Sequence, residues 1–258
     1  MPVRDAEAFI LRTFPLKESD KIACFLTREF GKYRGVCRGA RRTKGGYGAA
    51  LEPLTHVRIA FFERENRELT TVDRCEVVTS MMNAASADYA TSLGLSVIAE
   101  VADKLLPDHE VNERVFRLLL VVLERVREGA PIWLPLTYYL FWMVRLAGFL
   151  PDLLTCAACG RSLDSGIVND PPLDLRPVFF HPREEGLRCS DCAYAGMSQL
   201  SSLARRLALA MLRTPLNAIP VEGWDSKETA QDLRRCLLQR LEAHLEFRLQ
   251  SRALLEEL

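Results

Sequence analysis

The sequence lacks the features by which most enzymes and membrane proteins are recognised. It has only 4 histidines, and no pattern of cysteine or carboxylate residues surrounds them. Neither a Gly-x-x-x-x-Gly-Lys phosphate loop nor a His-Glu-x-x-His motif occurs, which argues against nucleotide hydrolases and metalloproteases of those types. No apolar run reaches about 18 residues, so we expect no membrane-spanning helix. The polar N-terminus has no apolar signal-peptide core, so we expect a cytoplasmic protein. Because the catalytic motifs named above are missing, we also expect no enzymatic activity.

The chain also lacks a net charge, since 34 lysines and arginines balance 34 acidic residues. Proteins that bind nucleic acids are usually basic, so this balance argues weakly against that class. The balance conceals one local excess: between Arg28 and Gly48, Glu29 is the single acid among seven cations. The segment Glu228–Leu258, by contrast, mixes both signs as a solvated helix does. The cationic segment should therefore serve a local function.

Residues 5–78 favour short β-strands over helices, because apolar clusters and polar-apolar alternation are separated by turn residues. We expect strands at Ala8–Leu11, Ile22–Thr27, Tyr33–Arg38, Val57–Phe62 and Leu69–Val78. A glycine-rich segment, 39–48, interrupts them. Five strands of this size with one long loop are typical of a small closed barrel.

Helical periodicity begins near Thr79, so the chain as a whole is predicted to be α+β. We expect helices at Ala84–Leu106, Glu110–Glu128, Ile132–Phe149, Ser198–Arg213 and Asp225 to about Leu255. The third is the most apolar and is predicted to form the core of a bundle. Asp225 and Glu228 fit a capping box at the start of the last helix.

Two Cys-x-x-Cys pairs, Cys156 with Cys159 and Cys189 with Cys192, stand in the proline-punctuated segment 151–195. Four thiolates are the ligand set of a tetrahedral structural zinc, and Gly160 permits a tight turn after the first pair. The spacer of 29 residues is longer than usual, and we expect it to form a small ribbon with a strand at 178–180. Disulfides are disfavoured in a cytoplasm, and a redox pair normally begins a helix. The sequence therefore predicts one zinc ion with no open position for catalysis.

Other candidate ligands and cysteines have simpler interpretations. His181 lies in the spacer and could replace a cysteine ligand, although a surface position is the better interpretation. The four remaining cysteines stand singly in predicted strands or in the last helix: Cys24, Cys37, Cys75 and Cys236. We expect each to be a small buried apolar residue.

The segment from Arg38 to Gly48 combines dense cations with glycines, and an aromatic residue follows them. Phosphates are bound by cations on a flexible track, and Tyr47 could stack a base. A solvated loop is the alternative. The candidate nucleic-acid contacts are Lys32, Arg34, Arg38, Arg41, Arg42, Lys44 and Tyr47. The nearby carboxylates of Glu18 and Asp20 could in principle bind a metal, but capping the second strand is the simpler role.

The order of several short motifs resembles the family of the bacterial DNA repair protein RecO. The motifs are Asp5-Ala6, Glu18-x-Asp20-x-Ile22, Leu26-Thr27-x-x-x-Gly31, Gly39-Ala40-Arg41-Arg42, Leu51-x-Pro53 and the late Cys-x-x-Cys pair. The resemblance covers essentially the whole chain. It implies an N-terminal oligonucleotide-binding (OB) barrel at 1–79, a helical domain at 80–258, and a zinc-binding insertion at 151–195. The basic turn of the family falls on Arg38, Gly39, Arg41 and Arg42, with arginine at 38 where lysine is common.

The resemblance also implies a function and a set of partners. Members of the family are mediators of homologous recombination in the RecFOR-type pathway. They bind single- and double-stranded DNA, promote annealing, and help load RecA on strands coated with single-strand-binding protein. The implied partners are RecR, the C-terminal tail of single-strand-binding protein and, indirectly, RecF and RecA, in a nucleoid-associated setting. Some members lack the cysteines, but this chain has all four.

Two other functions remain open from the residues alone. A ribosome- or RNA-associated zinc-ribbon protein could use the same basic barrel. A nuclease could use Glu18 and Asp20. A groove for an acidic tail could use one helix through Tyr138, Phe141, Trp142 and Arg145, although a core helix is the simpler interpretation.

Overall fold

The computed structural model describes residues 3–42, 46–63, 68–163, 176–219, 227–245 and 248–251. The chain divides into two compact units. The first consists of Met1–Gly129 with Leu249–Glu257, and the second of Ala130–Arg248 with Leu258. Among the described residues, no helix has both the length and the apolar character that crossing a membrane would require.

The first unit contains the predicted five-stranded closed barrel, which is confirmed. Its strands are β1 (Arg4–Leu16), β2 (Asp20–Thr27), β3 (Gly31–Cys37), β4 (His56–Phe62) and β5 (Thr70–Thr79). They close in the order β1-β2-β3-β5-β4. Only β3 and β5 run parallel, and the other neighbours pair antiparallel. This arrangement is OB-like.

The barrel closes because β1 is long enough to pair with two neighbours. Residues 4–9 pair with β4, and residues 8–16 pair with β2. A register shift between Ile10 and Arg12 bends the strand between these two partners. The prediction of a strand at Ala8–Leu11 was therefore too short, since the bend breaks the alternation on which the prediction depends.

Aromatic side chains fill the barrel interior. Phe25 and Phe61 are fully buried and meet edge to face, with ring centroids 5.3 Å apart. Tyr33 packs on Phe61 at 5.0 Å. Gly35 leaves room for them, since a Cβ there would lie 2.8 Å from the Val72 side chain. The interior is thus a packed core and not a channel.

Three helices complete the described part of the first unit: α1 (Met82–Ala87), α2 (Tyr89–Leu105) and α3 (Glu113–Arg127). The single helix predicted at Ala84–Leu106 was wrong, because Asp88 has an extended backbone and separates α1 from α2. Its carboxylate accepts the backbone N–H of Thr91 at 2.8 Å and so caps α2. Asn112 caps α3 in the same way, at 3.1 Å from the backbone nitrogen of Val115.

The second unit contains α4 (Trp133–Leu146), β6 (Val178–Phe180), β7 (Ser198–Leu200), α5 (Ser202–Arg213) and α6 (Lys227–Leu245). β6 and β7 pair antiparallel, so the prediction of helix from Ser198 onward was wrong for its first three residues. The last helix was predicted to reach about Leu255, but residues 248–251 are not helical. Asp225, and with it the predicted capping box, lies outside the described residues.

Helix α4 is buried along most of its length, as predicted for the core of the helical region, and packs against α6. Arg234 of α6 is only 2% exposed and donates to the Trp133 carbonyl at 3.3 Å. Arg240, also buried, donates to the Phe149 carbonyl at 2.9 Å. The interpretation of this segment as a solvated face of mixed charge was therefore wrong for these two arginines, which bind carbonyls near the two ends of α4.

Candidate nucleic-acid interface and metal site

The basic loop that follows β3 is held against the turn between β1 and β2. The backbone N–H of Gly39 donates to the Asp20 carboxylate at 2.8 Å, and that of Arg41 donates to the Ser19 carbonyl at 2.9 Å. The Arg41 guanidinium reaches the Lys17 carbonyl at 3.1 Å. These bonds fix the basic loop beside the turn of mixed charge between β1 and β2.

Asp20 has a structural role in this arrangement. The backbone N–H of Gly39, and next the Ser19 hydroxyl, hold the pKa of its carboxyl below the usual value. Glu18 is exposed, and the two carboxylates belong to no described cluster that could hold a metal ion. The geometry thus favours the capping role over the nuclease hypothesis.

Three predicted cations lie exposed on or beside this loop: Arg38, Arg41 and Arg42. Arg34 is also exposed, and its guanidinium lies 3.6 Å from the Asp108 carboxylate. A groove of about 410 Å³ opens beside Arg38. It is lined by Leu16, Lys17, Asp20, Val36, Arg38, Glu68, Leu69, Thr70 and Thr71. The face of β2 and β3 with its flanking loops is where OB folds bind oligonucleotides.

Lys32 must be removed from the predicted contact set. Its side chain is 5% exposed, and its ammonium donates to the Asp103 carbonyl at 2.6 Å. The Asp108 carboxylate lies 3.1 Å away. A phosphate could reach this buried ammonium only by displacing the Asp103 carbonyl and the Asp108 carboxylate. The partners follow more than 70 residues later in the chain, so the local sequence did not reveal them.

Tyr47 is less available for the predicted stacking role than its place in a glycine-rich loop suggests. Its ring packs against the barrel core, and its hydroxyl donates to the Val72 carbonyl at 3.1 Å. Burial raises the pKa of that hydroxyl to about 12. The ring is therefore only partly exposed, and less of it is available to a base than the stacking prediction assumes. Lys44 lies outside the described residues.

The four predicted zinc ligands come together in the second unit. The Sγ atoms of Cys156, Cys159, Cys189 and Cys192 all lie within 4.8 Å of one another, and those of Cys159 and Cys189 are 3.9 Å apart. Tetrahedral zinc with Zn–S bonds of about 2.3 Å separates its sulfurs by roughly 3.8 Å. The cluster could therefore hold a zinc ion. Among the described residues, no other group of histidine, cysteine and acidic side chains has metal-binding spacing, and His181 is not part of this one.

Short strands and turns position these cysteines. Gly160, at a φ of 69°, donates its N–H to the Cys156 carbonyl at 2.9 Å and closes the first turn. The Ala157 N–H donates to the Leu187 carbonyl at 2.8 Å, which joins the two Cys-x-x-Cys segments. β6 pairs with β7 and bridges to Arg188, so the predicted ribbon and its strand at 178–180 are confirmed.

The thiols of the cluster differ in acidity. Burial alone would raise the pKa of Cys156, but the N–H groups of Cys189, Cys159 and Ala158 outweigh it and lower the pKa to about 6. Hydrogen bonds with Cys189 and Cys159 raise the pKa of Cys192 to about 12. A bound divalent cation would stabilise all four thiolates. The four single cysteines, at 24, 37, 75 and 236, are buried, as predicted.

Comparison with known proteins connects this architecture to a family. The models "Recombination protein O N terminal" and "Recombination protein O C terminal" match residues 1–81 and 86–253. The chain belongs to the RecO family. The DNA repair protein RecO of Koribacter versatilis is 43% identical over 256 residues, which is 99% of each chain. That of Anaeromyxobacter sp. strain K is 30% identical over 251 residues, 96% of this chain and 94% of its own. The predicted resemblance is confirmed, and membership supports a role in DNA repair.

Two features of this RecO family member were not predicted from the sequence, although Arg145 of the second had been suggested for a tail groove. Phe14 on β1 is 38% exposed, and the Arg12 guanidinium lies 4.6 Å from its ring centroid. In the second unit, a groove of about 320 Å³ includes Arg145 and Arg213 beside Leu209. The exposed ring of Phe14 could have been found from the sequence, because Arg12, Phe14 and Leu16 alternate along β1 and so share one face of the strand. The second joins segments that are distant in the sequence.

Proposed function

We propose that this chain is a non-enzymatic, DNA-binding mediator of homologous recombination. It binds single- and double-stranded DNA, promotes annealing, and helps load RecA on strands coated with single-strand-binding protein. The observation that carries this proposal is the set of exposed arginines, Arg38, Arg41 and Arg42, beside a groove on an OB-like barrel. Exposed arginines on this fold suit the phosphates of a nucleic-acid backbone, and Arg38 lines the groove together with Lys17 and the acids Asp20 and Glu68.

The test removes two of these cations without disturbing the loop anchor. Arg38→Ala with Arg42→Ala is preferred to a variant at Arg41, because the Arg41 guanidinium bonds to the Lys17 carbonyl. Each phosphate contact on a single strand contributes about 0.7 to the slope of log affinity against log salt. We expect the double variant to bind any single strand more weakly and to flatten that slope by roughly 0.7 to 1.4. Fluorescence anisotropy with a labelled oligonucleotide measures both.

The control removes two arginines from strands β4 and β5, away from the basic loop. Arg58 and Arg74 lie exposed on β4 and β5, and Arg74 is paired with Asp5 and Glu76 at 3.3 and 3.5 Å. Arg58→Ala with Arg74→Ala should have a much smaller effect on affinity and slope. Equal losses in the two double variants would show that the basic loop is only a solvated turn.

The groove at Arg145 and Arg213 is our proposed site for the acidic tail of single-strand-binding protein. Such tails are acidic and end in an apolar residue, and this groove is lined by two arginines, one acid (Asp152) and apolar residues that include Leu150, Leu153 and Leu209. Of the four residues suggested from the sequence, Tyr138 and Phe141 are buried in the core, and only Arg145 lines this groove. Arg145→Ala with Arg213→Ala should abolish binding of a tail peptide while leaving DNA affinity unchanged.

The cysteine cluster supports one structural zinc ion per chain. Four protein ligands would close its coordination sphere, so the metal would have no open position for a substrate. We further propose RecR as a partner, RecF and RecA as indirect partners, and a cytoplasmic, nucleoid-associated setting. Functional domains at 1–79 and 80–258, with the zinc insertion at 151–195, are part of the same proposal.

A further inference from the structure

The outer surface of the barrel carries a cross-strand stripe of half-exposed apolar residues. Phe14 pairs with Ile22 across β1 and β2, Ile22 pairs with Val36 across β2 and β3, and Val36 pairs with Thr71 of β5. Directly opposed residues have Cβ atoms about 5 Å apart, so these side chains form one continuous surface. All four are partly or largely exposed.

Strand alternation shows that this stripe faces outward. The adjacent row consists of Thr13, Ala23 and Gly35, which are also paired across the same strands. Ala23 is fully buried, and a Cβ on Gly35 would point at the interior side chains of Val72 and Phe25. Successive residues of a strand face opposite sides, so Phe14, Ile22 and Val36 face away from the core.

Cations and acids both border the stripe, and Glu68 lines the groove beside Val36. The Arg12 guanidinium lies over the Phe14 ring, and within the described part of the chain it forms no ion pair. Arg38 follows β3, is exposed, and lines the same groove as Val36. The Asp20 carboxylate is bonded to the Gly39 N–H. The surface therefore combines an aromatic ring, an apolar floor and available positive charge.

We propose that Phe14 is the base-stacking residue of this barrel and gives it a preference for unpaired strands. This inference rests on the proposed function and adds a residue that distinguishes single-stranded from duplex DNA. A base stacks on the ring and takes the place of the Arg12 guanidinium, which turns to an adjacent phosphate. In a duplex the faces of the bases are covered by their neighbours, so the ring has nothing to stack on, while the cations still bind phosphate.

The experiment measures the affinities of three variants, Phe14→Ala, Phe14→Trp and Val78→Ala, for single-stranded and for duplex DNA. Val78→Ala is the control, because it removes an apolar side chain of β5 that is 50% exposed. Phe14→Ala should lose roughly 5- to 150-fold in affinity for a single strand, the range for one stacked base, with an unchanged salt slope. Its affinity for duplex DNA and the affinities of Val78→Ala should change by less than about twofold. Phe14→Trp should retain single-strand binding. Circular dichroism verifies the fold.

A strand with abasic positions supplies a second readout. Wild-type protein should bind it more weakly than the intact strand, and Phe14→Ala should bind both equally. Equal losses of Phe14→Ala on single-stranded and duplex DNA would overturn the stacking role while leaving the arginine loop in place. Absence of salt-dependent binding in the wild-type protein would instead refute the proposed function. Weaker binding of Phe14→Ala to the acidic tail peptide, with DNA affinity intact, would assign the stripe to a protein partner and overturn the inference.

Discussion

Gly31 turns the chain from β2 into β3 at a φ of 85°, where any side chain would meet the backbone of Glu110. A Cβ would lie 2.3 Å from the Glu110 carbonyl oxygen. We expect Gly31→Ala to lower the free energy of unfolding by about 2 to 5 kcal/mol, from left-handed backbone strain and overpacking together. Gly129→Ala is the control, since Gly129 has a φ of 86° and nothing within 4 Å of an added Cβ. It should cost only about 1 to 2 kcal/mol in urea denaturation. Equal costs would contradict the close approach.

His56 couples the stability of the first unit to pH. Burial lowers the pKa of its imidazole, and the Glu7 carboxylate, 3.8 Å away, opposes that shift only in part. The ring also stacks on Phe9, with centroids 4.9 Å apart. Because the folded pKa lies below the unfolded value of about 6.5, the unfolded chain binds more protons, and the stabilisation is complete above that pH. It is lost as the pH falls through the folded pKa.

The free energy of unfolding should therefore decline between pH 7.5 and 5.5, and His56→Gln should decline less over the same interval. Parallel declines of the two proteins in urea denaturation would assign the pH dependence to other groups.

At the scale of elements, the ribbon around the four cysteines should depend on its metal, because a structural zinc site contributes its binding free energy to folding. Protein purified without chelator should contain about one zinc per chain by elemental analysis. Cys159→Ser should reduce that content and increase hydrogen exchange at residues 178–180 and 187–192. DNA affinity should be largely unchanged, because the basic loop belongs to the other compact unit. Folded protein with less than a tenth of this zinc would refute the assignment.

The elements that the sequence predicted well are those with strong local patterns. The five strands, the apolar helix α4 and the two Cys-x-x-Cys pairs each have a signal within a few residues. The break at Asp88 was missed because helical periodicity continues on both sides of it, and only its cap geometry separates the helices. Lys32 was misassigned, and the limited exposure of Tyr47 was not foreseen, because their partners, Asp103 and the Val72 carbonyl, are distant in the chain. Residue type predicted where charge is concentrated, but not which charges are available.

At the scale of the whole molecule, the proposal of a non-enzymatic mediator predicts no catalytic activity. Among the described residues, the cysteine cluster alone has metal-binding geometry, and its four ligands would leave no open position. Purified protein should neither hydrolyse ATP nor cut DNA above a mock preparation. ATP turnover that a substitution in this chain abolishes would overturn the proposal of a non-enzymatic mediator.

The segment Leu249–Ser251 returns to the first unit, where Glu100 of α2 accepts the N–H groups of Gln250 and Ser251 at 2.7 and 3.1 Å. The Ser251 hydroxyl adds a bond at 2.7 Å. Glu100 therefore meets its partners only after the ribosome has added some 150 further residues. At about 5 to 20 residues per second, that delay is roughly 8 to 30 seconds. The first unit, although its barrel is synthesised first, therefore gains these three bonds only after residues 130–248 of the second unit have been made.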